Sequence, residues 1–151
     1  MTEAWLSLPD SLNSQLSTID CMKEIKQQFM AYRNGVIADT LRQAGWPHKV
    51  IFGLNLPQLT EIARTLSSPD LDLALRLWAD REVRESRLLA PFLLPSDFGA
   101  DQLLRLCADM RTHEEADLMA FRHIRFRADA ADIAASTPDP YLREAISRFL
   151  E

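Results

Sequence analysis

The chain has 151 residues, 47% hydrophobic and 26% charged, which is the balance of one soluble domain with a core large enough to need no metal or disulfide. Its formal net charge of -5 argues against a surface that grips nucleic acid throughout, though not against a local basic groove. Four glycines are few for the tight turns of an all-β fold, and two cysteines outside any Cys-x-x-Cys motif argue against a zinc site or a disulfide framework.

The start of the chain lacks a basic segment followed by a long apolar run, so no signal peptide is expected. No stretch approaches 18 apolar residues, so no membrane span is expected and the protein reads as cytoplasmic. After a polar lead, Thr18 or Asp20 can cap a helix running towards Gly45, with Ile25, Phe29, Tyr32, Val36 and Ile37 on one face. Asn34-Gly35 is a potential break in it, and Gly45-Trp46-Pro47 ends it. A connector over 51–57 leads through Pro57 into a helix to Leu66, with Leu59, Ile62, Ala63 and Leu66 inward. Pro69-Asp70 turns the chain into a helix from Leu71 to Trp78. A further helix is expected over 81–94, shortened or kinked by Pro91. Leu103, Leu104, Leu106, Cys107 and Met110 mark the next, ending near Arg111. Helices over 113–125, 129–135 and 140–150 complete the chain. No segment alternates as a strand. The expected fold is all-α: one helical-repeat domain over 1–151, a HEAT-like or armadillo-type solenoid of antiparallel helix pairs.

Several side chains carry potential chemistry. His113 and Asp117 are four apart and face the same way on a helix, either as an acid/base couple or as a surface contact. Glu114 and Glu115 beside them would repel a phosphate backbone. The stretch Phe121-Arg122-His123-Ile124-Arg125-Phe126-Arg127 interleaves aromatic and basic residues, a pattern suited to nucleic-acid backbones; Asp129 and Asp132 could instead neutralise it. Arg81, Arg84 and Arg87 alternate with Glu82 and Glu85 and read as a solvated or pairing face. Trp78 reads as core, and Trp46, in a loop, as a partly exposed anchor. There is no Walker motif, dinucleotide fingerprint or metal spacing, so no cofactor is expected.

Three motifs stand in register. They are Gly53-Leu54-Asn55-Leu56-Pro57-Gln58-Leu59 leading into Ile62-Ala63, the Leu77-Trp78 helix, and Glu85-Ser86-Arg87-Leu88-Leu89-Ala90. Together they resemble the AlkD-like DNA alkylation repair family over about residues 50 to 145. The resemblance implies a HEAT-like solenoid holding duplex DNA on its concave face. It also implies a metal-independent DNA glycosylase that excises cationic N3- or N7-alkylated purines without burying the lesion in a flipping pocket. The family's Trp-x-x-x-Asp helix aligns with His113 to Asp117, so the resemblance makes Asp117 the group that stabilises charge on the sugar, with His113 standing in place of Trp. It puts the later phosphate-binding Arg on Arg143; Arg122, Arg125 and Arg127 are candidate DNA contacts from their basic–aromatic pattern. The chain reads as a shortened or divergent member. The alternative reading is a non-catalytic binding module of the same ancestry, with a protein or DNA partner.

Overall fold

A computed structural model describes residues 10–150, with side chains described from Thr18 onward. The polar lead over residues 1–9 lies outside the described residues. The described part is all-helical and has no strand; one isolated bridge joins Val50 to Val83. Nine α-helices follow in order: α1 (Asp10–Ala31), α2 (Gly35–Gln43), α3 (Leu56–Arg64), α4 (Leu71–Ala79), α5 (Arg84–Leu89), α6 (Ala100–Cys107), α7 (His113–Arg122), α8 (Ala130–Ser136) and α9 (Pro140–Leu150). This agrees with a solenoid-like stacking of short helices. No described helix is long and apolar enough to cross a membrane.

The helix starts follow from local hydrogen bonding. Asn34 ends the first predicted helix and begins α2, its Oδ1 accepting from the amides of Val36 and Ile37 at 3.1 and 3.2 Å. The helix expected from Thr18 to Gly45 is therefore two, and the first begins earlier, at Asp10. Gly45 takes φ +100° just past the end of α2, the left-handed turn that glycine allows. Asn55 and Gln58 cap α3 reciprocally, with Pro57 in its first turn. Asp70 caps α4, Thr112 caps α7, and Asp139 accepts from the Tyr141 amide at the start of α9. The helix expected over 81–94 is only α5 plus a 3-10 turn over Ala90–Phe92, because Pro91 has no amide to continue the ladder.

The core runs from Ile25 and Phe29 on α1 through Leu54, Leu59, Ile62, Leu73, Leu77 and Leu88 to Met119, Leu142 and Ile146, all at most 2% exposed. Each contributes roughly 1.5–3 kcal/mol of burial. Trp78 lies in this core, its indole donating to the Leu106 carbonyl at 3.1 Å. α9 packs along α7 and α8, and α5 sits against α3, α4 and α7.

Every residue of α5 is buried, including Arg84, Glu85 and Arg87. The arginine face read from the sequence as solvated or pairing is a pairing face, with two of its members inside the protein. Glu85 accepts from the amides of Phe52, Gly53 and Leu54 and from Arg84. Arg84 also forks onto Glu114, with both bonds at 2.8 Å. Arg87 stacks over Trp78 at 4.2 Å and donates to Glu115 and Asp109. The Glu85 and Arg87 motif thus ties the 52–54 connector, α5 and α7 together.

Candidate functional site

The site is assembled from one loop and two helices. The loop after α2 is held in place by Arg42, whose guanidinium donates to the carbonyls of His48 and Lys49 at 3.1 and 3.0 Å. It presents Trp46, whose indole donates to Glu114 at 3.0 Å. His48, two residues on, is buried against Glu115 at 3.4 Å. The loop is therefore fastened twice to the first turn of α7.

The expectation that Glu114 and Glu115 would repel phosphate is corrected by this arrangement. Both turn inward and are neutralised by arginines of α5: Glu114 by Arg84, Glu115 by Arg87. Burial works to raise the Glu114 carboxyl, but the hydrogen bonds and charge of Arg84, with the Trp46 indole, outweigh it and hold it below the usual carboxylate range.

His113 opens α7, and its ring meets Trp46 edge-on at 5.3 Å and Tyr141 of α9 at 6.3 Å. One turn later, Asp117 lies 3.6 Å from His113 Nδ1. Its other oxygen accepts from Arg148 Nη2 at 2.9 Å. Tyr141, Glu144 and Arg148 recur at helical spacing along an exposed flank of α9, beside its buried face of Leu142, Ala145 and Ile146. With His113 and Asp117 they line an open cleft of about 390 Å³. A smaller hollow of about 200 Å³, walled by Gly45, Trp46, Pro47, Arg111 and Thr112, adjoins it and shares His113 and Tyr141. The result is an aspartate–arginine pair at the foot of an aromatic wall, reachable from solvent: the Asp117 side chain is 34% exposed.

The sequence-predicted residues are distributed as follows. His113 and Asp117 are together in the cleft. Arg143 is on α9, but its guanidinium donates to the carbonyls of Ala134 and Thr137 at the end of α8. Arg127 forks onto Asp129 and donates to His123 Nε2, which as acceptor must be the unprotonated nitrogen. At the C-terminal end of α7, Arg122 stacks on Phe92 and Arg125 on Phe121. Sequence reasoning missed Arg148 and Tyr141. Arg143 and Arg148 occupy the same amphipathic helix, and only the register of α9 against α7 decides which of them meets Asp117. The available signal was the seven-residue step from Tyr141 to Arg148, two helical turns on one face.

Among the described residues no group of three or more His, Cys, Asp or Glu is placed to hold a metal ion. Cys107 is buried, and burial pushes its thiol up to about 12, which leaves it inert as a nucleophile.

An all-helical protein with an acid–arginine cleft under aromatic side chains is the class that fold and site define. The family model described as DNA alkylation repair enzyme matches residues 25–132, well over half of the chain. The chain belongs to that family, and a DNA alkylation repair-like function follows. Asp117 lies inside the matched range, whereas Tyr141, Glu144 and Arg148 follow it. Comparisons with curated proteins and with solved structures gave no significant match.

Proposed function

We propose that the protein is a DNA glycosylase for cationic N3- or N7-alkylated purines in duplex DNA, and that the cleft around Asp117 is its active site. The observation that carries this is the Asp117–Arg148 pair, 2.9 Å apart, open to solvent beneath Trp46, His113 and Tyr141.

The alkylated purine carries a positive charge. When the bond from C1′ to its nitrogen breaks, the electron pair leaves with the base, which departs neutral. The charge passes to the sugar as an oxocarbenium ion. A fixed carboxylate beside C1′ stabilises that charge as it develops, and Asp117 supplies it. Water then adds at C1′ and loses a proton, leaving an abasic site. Asp117 can orient this water through its oxygen facing His113.

Arg148 has two roles in this reading. It holds Asp117 in place, and its remaining N–H donors, on a side chain 56% exposed, can hold a phosphate next to the lesion. His113, with Trp46 edge-on behind it, takes the place of an aromatic contact to the sugar.

The test is release of free 7-methylguanine from methylated duplex DNA, followed chromatographically, for the wild type and for Asp117→Asn. Release by the wild type that is lost in the variant supports the reading. No release by folded wild-type protein removes it and leaves the non-catalytic binding module.

A further inference from the structure

We propose that Arg122 and Arg125 form a separate oxyanion subsite, built on a phenylalanine cluster at the end of α7, that takes a phosphate group. The natural source is a backbone phosphate of duplex DNA flanking the Asp117 cleft, and that part rests on the proposed function. The subsite itself does not.

The two guanidiniums flank one ring. Arg125 lies 4.1 Å from the centroid of Phe121 and 4.4 Å from that of Phe126, with Phe149 at 5.9 Å. Arg122 lies 5.2 Å from Phe121 and 4.4 Å from Phe92. Stacking holds both planar groups in place before any ligand arrives, which lowers the entropy lost on binding.

Among the described residues neither has a counter-ion. Arg64, Arg81, Arg84, Arg87, Arg111, Arg127 and Arg148 each pair with a carboxylate. Among the described residues the Arg122 side chain makes only one hydrogen bond, to Thr60 Oγ1 at 3.1 Å, and the Arg125 side chain makes none. The Nε atoms of both are buried without an acceptor. A guanidinium has five donors and no acceptor of its own, so each of these two, held against the same Phe121 ring, lacks an anion to accept from it. Burial, and then the charge of Arg125, lowers the pKa of Arg122.

The position suits a ligand spanning both sites. Phe121 is one helical turn beyond Asp117 on α7, about 6 Å along the axis, and Phe149 follows Arg148 on α9. Phe126, 68% exposed, offers a ring against which the rest of the ligand can lie. Of the four arginines that the sequence pointed to, Arg127 and Arg143 are engaged by acceptors of the chain itself, and this pair is left.

Two probes test the subsite on the full chain: a fluorescein-labelled duplex without lesions, and inorganic phosphate. Arg122→Gln and Arg125→Gln should each weaken duplex binding about tenfold and reduce the slope of log affinity against log salt by about 1. Arg105→Gln, which removes an exposed charge on α6, should leave that slope unchanged, and Arg125→Lys should keep it. Melting midpoints close to the wild type establish that the variants are folded. Inorganic phosphate should shift the side-chain N–H resonances of Arg122 and Arg125 in the wild type. If both Gln variants bind duplex as the wild type does and phosphate shifts neither arginine, the subsite is overturned, whether or not the chain releases 7-methylguanine. If phosphate shifts both but no duplex binds, the subsite stands for free phosphate groups, and the DNA source falls together with the proposed function.

Discussion

The carboxylate of Glu85 is fully buried and accepts from three backbone amides and from Arg84. Glu85→Gln keeps its shape but turns a donor towards those donors and takes away the charge that strengthens all four bonds, while Arg84 stays paired with Glu114. We expect a loss of about 3–5 kcal/mol, measured by urea unfolding. His123 is a second residue whose setting decides its behaviour. Burial, then the neighbouring Arg127, lowers its pKa from 6.5 to about 4. The unfolded chain therefore binds this proton at higher pH than the native one does. The stability tied to neutral His123 is present above the unfolded pKa and is lost as pH falls through the window from 6.5 to about 4. Acidification across it should cost on the order of 2–3 kcal/mol. His123→Gln, which keeps an acceptor for Arg127 without a titrating group, should flatten the thermal stability profile over that range.

The connector between α2 and α3 is where elements meet most closely. Gly53 has φ +87°, and a Cβ there would run into the carbonyl oxygen of Asn34. That carbonyl belongs to the residue capping α2, whose own amide donates to Phe52 at 2.7 Å. The Gly53 amide in turn donates to Glu85. Gly53→Ala should cost at least about 2 kcal/mol in thermal or urea unfolding, since strain and clash act together. At this scale the sequence is informative. Asn34, Asn55, Asp70 and Thr112 cap through side chains three residues or fewer away, so helix starts are written locally. The fate of the α5 charges is not. Arg84 and Arg87 alternate with acids just as a solvated helix face would, and their burial depends on Glu114, Asp109 and Glu115, more than twenty residues away. The same holds for Arg148, which meets Asp117 across 31 positions of chain.

For the molecule as a whole, the charge of -5 reads differently once its partners are known. Up to Met110 there are 11 basic and 14 acidic residues, and 6 and 8 from Arg111 on, so neither part is basic. Much of that acid is consumed internally: Glu85, Glu114 and Glu115 are neutralised around α5, and Asp129 is taken by Arg127. What faces outward near the cleft is Asp117, Glu144 and Arg148, then the uncompensated Arg122 and Arg125. The central claim is that Asp117 stabilises the sugar cation, and single-turnover release of 7-methylguanine from duplex DNA tests it most directly. The account predicts release by the wild type and a fall of at least about 100-fold in Asp117→Asn with binding of lesion-free duplex retained. An Asp117→Asn variant that releases the base as fast as the wild type, or a folded wild type that releases none, would contradict it.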